Sequence, residues 1–150
     1  MTNIIKVPFT VLENDPSFLD LCREYEGEYV EDMPPVSISI ETYRALDKAG
    51  TLHTFCAYNK KDHLIGFLTI IVSVLPHYSV IVGIVESLFV TQAARKTGAG
   101  LKFIATAERF AKEKGCWVLL FSTPIGSRLC TILPRRGYSP TDMVFAKRLR

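Results

Sequence analysis

Hydrophobic and polar positions follow different rhythms along the chain, and each change of rhythm marks an element. Residues 3–9 read as a first strand. Asp15-Pro16 is a helix start, with Asp as cap and Pro at the first helical position, where its missing N–H costs nothing. Phe18, Leu21, Cys22, Tyr25 and Tyr29 then fall on one helical face, and Asp20, Glu24, Glu28, Glu31 and Asp32 occupy the other face and the segment behind it. Pro34-Pro35 interrupts the chain, and a second short helix is predicted over 39–48, stopped at Gly50.

Three apolar runs come next, over 51–58, 64–75 and 80–90. A polar turn (Asn59 to Asp62) and Pro76-His77-Tyr78 separate them, which predicts an antiparallel meander. A helix over 101–114 carries its apolar face on Leu101, Ile104, Ala107, Phe110 and Ala111 and ends at Gly115. A strand over 116–123, a short helix over 126–135 and a last strand over 143–149 complete the series. The link from Val90 to Cys116 is long enough for a parallel crossover. The predicted fold class is α/β: a mixed, mostly antiparallel central sheet with helices on both faces, forming one domain over 1–150.

Composition narrows the function classes. A hydrophobic fraction of 48% with 22% charged residues is that of a globular chain, which excludes a disordered one. The net charge of +3 is spread out, with local density only at Arg135-Arg136 and at Lys147, Arg148 and Arg150, so it argues against a nucleic-acid partner. Four scattered cysteines without a Cys-x-x-Cys pair are expected to be reduced core thiols. Trp117, in the strand after the long helix, is expected in the core. His53 and His63 are isolated, and no spacing suggests a metal site. The longest apolar run is too short to span a bilayer and no signal peptide opens the chain, so a cytoplasmic protein without a membrane partner is expected.

The chemistry concentrates in residues 85–115. Val85-Glu86-Ser87-Leu88-Phe89-Val90 is an apolar run with one carboxylate, followed by Thr91-Gln92-Ala93-Ala94-Arg95-Lys96-Thr97-Gly98-Ala99-Gly100 and the long helix. Gly98 and Gly100 leave backbone N–H groups unobstructed at a helix N-terminus, and Arg95 and Lys96 add positive charge. That combination suits an anion, most naturally a pyrophosphate. The spacing of a phosphate-binding P-loop is absent, and a dinucleotide fingerprint would need glycine where Phe103 stands.

Arg95-x-x-Gly98-x-Gly100 behind Glu86-x-Leu88-x-Val90 resembles the GCN5-related N-acetyltransferase (GNAT) family. Gly137-Tyr138 before a final strand extends the likeness, which is greatest to the small single-domain members, including those found on phages and prophages. The resemblance implies acetyl-CoA as co-substrate and no metal. The pyrophosphate would lie on Arg95, Lys96, Thr97, Gly98, Ala99, Gly100 and Leu101, and the pantetheine along Leu88, Phe89 and Val90. Glu86 takes the place of the family's general base, and burial in its apolar run is expected to make it more basic. The family's acid tyrosine would stand four residues before Gly137, where this chain has Leu133. Tyr78, in the turn entering the Glu86 strand, Ser127 and Cys130 are the candidate acids, and water is a further one.

The implied reaction is direct attack of a primary amine on the thioester in a ternary complex. Glu28, Glu31 and Asp32, with His77 on the substrate side, are candidate acceptor-binding residues. Their charge favours a cationic amine, either a small molecule (a polyamine or aminoglycoside-like sugar) or a protein Lys side chain or N-terminus. Dimers are common in the family, which leaves a homodimer open. Two other readings stand beside this one: a non-catalytic CoA-binding or interaction module of the same fold, and an acetyltransferase acting on RNA-linked amines.

Overall fold

The computed structural model describes residues 2–28 and 32–150; Tyr29 and Glu31, both given roles above, lie outside the described residues. In chain order the elements are β1 (Asn3–Val7), α1 (Phe9–Glu13), α2 (Phe18–Glu26), α3 (Ile40–Lys48), β2 (Leu52–Tyr58), β3 (Leu64–Leu75) and β4 (Val80–Val90). A 3₁₀ turn (Gln92–Thr97), α4 (Ala99–Glu113), β5 (Val118–Phe121) and α5 (Arg128–Arg135) follow. The sheet runs β1-β2-β3-β4-β5, antiparallel through β4, with β5 parallel to β4 after the crossover through α4. This is the mixed, mostly antiparallel α/β architecture expected.

The largely apolar character of β2 to β4 has a simple cause: over most of their length both faces of the sheet are covered. On one face Phe55, Leu68, Ile70, Val85 and Val90 pack against Phe103, Ala107 and Phe110 of α4. On the other, Cys56, Phe67 and Phe89 pack against Phe9 and Leu12 of α1 and Phe18, Leu21 and Cys22 of α2. Gly66 permits the tightest approach between neighbouring strands, since a Cβ there would meet the Phe89 carbonyl oxygen at 2.5 Å.

Several expectations are corrected. The first strand ends at Val7, and Phe9 begins a five-residue helix that buries Phe9 and Leu12. Trp117 is 79% exposed rather than in the core: its N–H donates to the Ile81 carbonyl of β4 at 2.8 Å, but its side chain stands in solvent. The four cysteines are free, but Cys130 is exposed and Cys116 partly so. The predicted last strand over 143–149 is absent: residues 139–150 form no strand and all are exposed.

Candidate active site

β4 and β5 pair from Val82↔Val118 to Val85↔Phe121 and no further. β4 continues to Val90 while the other chain turns away after Phe121, so the two parallel strands part. A cavity of about 680 Å³ opens between them. Its walls are Leu88, Phe89 and Val90 of β4, Arg95, Lys96, Gly98, Gly100 and Leu101 of the loop and α4, and Phe121, Ser122 and Thr123 beyond β5. Among the described residues, β4 from Glu86 onward has a sheet neighbour only on the β3 side. Its other backbone N–H and C=O groups therefore face the cavity, where an extended amide-bearing chain could pair with them.

Gly98 joins the 3₁₀ turn to α4 in the left-handed region, at φ 83°, which a side chain would strain. Among the described residues no side chain caps α4, which leaves its first N–H groups for a ligand. The place a Gly100 Cβ would take is open space. Thr97 and Ala99 do not line the cavity. The Thr97 hydroxyl donates to the Ala94 carbonyl at 2.6 Å, and the Ala99 methyl is fully buried in the α4-face core. These two residues shape the loop from behind.

Glu86 owes its orientation to a break in strand register. Thr69 pairs with Ser87 and Ile70 with Val85, which leaves Glu86 as the extra residue of a β-bulge. The bulge shifts the alternation of faces, so that Val85 and Leu88, three apart, both pack on the α4 face. It also turns Glu86 into the cavity, where the side chain is exposed and not buried as expected. Glu86 Oε2 accepts hydrogen bonds from the Tyr43 hydroxyl and from Thr69 Oγ1, each at 2.7 Å. These two donors hold one carboxylate oxygen and leave Oε1 for a ligand. Tyr43 reaches the site from α3, its ring stacked on Phe9 at 5.1 Å. Burial raises its phenol far above the usual range, so it serves as a donor. Tyr25 of α2 also lines the cavity, and burial raises its phenol too, the Ser87 hydroxyl working against that rise.

Tyr78 and His77 are not at the site. They form the turn between β3 and β4, Tyr78 69% exposed and packed on His77 at 4.9 Å. Glu86 lies six residues beyond Val80, about 20 Å along an extended strand. Glu28 does line the cavity, but its carboxylate is paired with Arg95 at 3.1 Å. Arg95 is further held by its Nε donating to the Val90 carbonyl at 2.9 Å, and its guanidinium lies over the Phe89 ring. One turn earlier, Glu24 accepts from Thr91 Oγ1 at 2.7 Å and from the Gln92 N–H at 2.5 Å. Glu24 of α2 and Glu28 just beyond its end thus grip the loop. Asp32 is exposed and outside the cavity, and Glu31 lies outside the described residues.

Leu133, at the position where the family resemblance implies an acid tyrosine, is buried. The far wall is fixed by Thr123 and Ser127, whose hydroxyls are 2.6 Å apart. Cys130 is outside the cavity. Its thiol lies 3.6 Å from Ser127 Oγ and donates to the Pro124 carbonyl, and the Ser127 contact holds it below its usual range. Among the described residues, no three His, Cys, Asp or Glu side chains gather as metal ligands, and no helix is long and apolar enough to cross a membrane. The residues that sequence reasoning missed are Tyr25, Tyr43 and Thr69. Tyr25 alone left a signal, as a phenol on the buried face of its helix.

A model of the Acetyltransferase (GNAT) family matches residues 16–124. No curated protein matches the chain by sequence. Solved structures with a similar fold include the aminoglycoside acetyltransferase meta-AAC0020 from an uncultured soil metagenomic sample (21% identity, TM-score 0.74, covering 99% of this chain and 97% of that one). A second is AAC(6')-Iy in complex with the bisubstrate analogue CoA-S-monomethyl-acetylneamine (21% identity, TM-score 0.74, covering 100% and 99%). A third is glucosamine-6-phosphate N-acetyltransferase from Arabidopsis thaliana (12% identity, TM-score 0.74, covering 100% and 99%). At these identities the likeness is one of fold.

Proposed function

The chain belongs to the GNAT family of acetyltransferases, and from that premise we propose that it transfers the acetyl group of acetyl-CoA to a primary amine of a cationic acceptor, by direct attack in a ternary complex. The observation that carries this reading is that one cavity holds both the anion-binding loop and Glu86. Arg95, Lys96 and the first N–H groups of α4 would hold the pyrophosphate, and the open space at Gly100 fits such a group. The unpaired β4 backbone beyond the bulge would hold the pantetheine amides. Acetyl-CoA supplies the activated acyl group.

An alkylammonium must lose a proton before it can attack. Glu86 Oε1, left free by the Tyr43 and Thr69 donors on Oε2, accepts that proton directly or through one water. Backbone N–H groups of β4 on the cavity side stabilise the oxyanion as the tetrahedral intermediate forms. Tyr25, inside the cavity with its phenol kept protonated by burial, replaces Tyr78 as the group that protonates the departing thiolate. Glu28 sets acceptor charge. Once the pyrophosphate engages Arg95, the Glu28 carboxylate is released from its ion pair to face the acceptor's ammonium. Small cationic amines of the amino-sugar or polyamine type are the first acceptors to test, and Lys side chains or protein N-termini the second.

The test is thiol release from acetyl-CoA across a panel of cationic and neutral amines. Turnover confined to cationic amines is expected. Tight acetyl-CoA binding with no turnover across amines, peptides and aminoacyl-RNA would leave a non-catalytic CoA-binding module.

A further inference from the structure

The cavity carries one cation that acetyl transfer as set out above leaves without a task. Among the described residues, the basic side chains that line it are Arg95, Lys96 and Arg128. Arg95 and Lys96 belong to the loop, and Arg95 is already paired with Glu28 at 3.1 Å. Arg128 stands on the far wall, where it opens α5. It is exposed, which puts it at the cavity's mouth, and among the described residues it has no ion-pair partner.

The wall beneath Arg128 holds it in place. The Ser127 N–H donates to the Pro124 carbonyl at 3.1 Å, which closes a turn just before α5. The Thr123 and Ser127 hydroxyls, 2.6 Å apart, tie the chain leaving β5 to the start of that helix. At the far end of α5, Leu133 is buried. Glu108 of α4 accepts from the Tyr138 hydroxyl at 2.9 Å and pairs with Arg136 at 3.8 Å. The far wall is thus fastened to α4, whose first turn carries Gly100, and the fold sets the spacing between Arg128 and the loop.

Coenzyme A brings two anionic groups: a pyrophosphate in mid-chain and a phosphate monoester on its ribose, which carries nearly two negative charges at neutral pH. The loop takes the first. With the pantetheine along β4, the nucleotide end is the part left at the mouth, where Arg128 stands. A guanidinium offers a planar fork of donors that matches two phosphate oxygens at once. On the acetyl-CoA reading, on which this rests, we propose that Arg128 binds the ribose phosphate of coenzyme A. The contact selects coenzyme A over other adenine nucleotides that share its pyrophosphate but lack that group. It acts on affinity and leaves the acyl chemistry at Glu86 untouched.

Calorimetry at low ionic strength tests this with two ligands, acetyl-CoA and acetyl-dephospho-CoA, which lacks only the ribose phosphate. Wild type is expected to bind acetyl-CoA about tenfold more tightly, the lower end for a charge-assisted pair because the site is open to solvent. Arg128→Gln should bind acetyl-CoA about tenfold more weakly and acetyl-dephospho-CoA as wild type does, so that the preference vanishes. The exposed position lets the variant fold, and a thermal melt beside the titration checks that it has. Equal wild-type affinities for the two ligands would overturn the proposal. So would a variant that keeps the preference, or one that weakens both ligands alike, which would put Arg128 on the pyrophosphate. A wild type that binds neither ligand would overturn the acetyl-CoA reading itself, and this proposal with it.

Discussion

Gly100→Val separates folding from binding more cleanly than any other change at the loop. Gly100 is the second residue of α4, and nothing lies within 4 Å of the position its Cβ would take. Valine is a slightly better helix residue than glycine, so stability should hold or rise by a few tenths of a kcal/mol, on the order of 0.3. The new side chain would occupy the space in front of the first α4 N–H groups. If it displaces two charge-assisted hydrogen bonds of about 1.5–3 kcal/mol each, the loss is about 3–6 kcal/mol, or roughly 10²–10⁴-fold in Kd. Calorimetry with acetyl-CoA, beside a thermal melt, reads both quantities. Gly98→Ala is the contrast: at φ 83° it strains the backbone by about 1–2 kcal/mol and should lower Tm as well. A folded Gly100→Val protein with wild-type affinity would remove the loop from the account.

Tyr43→Phe removes one of the two donors to Glu86 Oε2. It should leave acetyl-CoA affinity unchanged and lower kcat about tenfold, from a bond worth about 1.5 kcal/mol; steady-state kinetics with unchanged kcat would take Tyr43 out of the site. Glu28→Gln removes the competitor for Arg95, so acetyl-CoA should bind about two- to fivefold tighter, as expected of a half-exposed ion pair, while KM for a cationic acceptor rises. Weaker acetyl-CoA binding with an unchanged acceptor KM would show Glu28 to be only a support for the loop. His53, against Phe110 at 4.7 Å, has its pKa lowered mainly by burial and further by Lys6 and Lys114. Below about pH 6.5 the unfolded chain therefore binds a proton that the folded chain resists, and stability falls as pH falls through that window. His53→Gln should flatten the change in urea midpoint between about pH 7.5 and 5.5; an unchanged slope would assign the acid sensitivity elsewhere.

The parts of this protein that were legible in its sequence are those set by local rules. β3 and β4 are apolar at nearly every position because both faces of the sheet are covered, and the Arg95-to-Gly100 loop announces itself by needing glycine at defined places. What stayed hidden depends on distance through the fold. Tyr43 meets Glu86 across 43 residues, and nothing near either residue signals the pairing. Tyr78 is near Glu86 in sequence, but the extended strand between them carries it away from the site. The Glu86 bulge is one residue of lost register inside an unremarkable run. Glu24 and Glu28 read as a charged helix face, whereas their partners Thr91, Gln92 and Arg95 lie far along the chain. The apolar residues over 143–146 suggest a strand, but residues 139–150 lie in solvent and form none.

The central claim is that Glu86, aimed into the cavity by the bulge, takes the proton from the attacking amine. The most direct test is Glu86→Gln with a confirmed acceptor, following thiol release at neutral pH. The account predicts that acetyl-CoA binding is retained and that kcat falls by roughly 10²–10⁴-fold. A folded variant that turns over at the wild-type rate would contradict it.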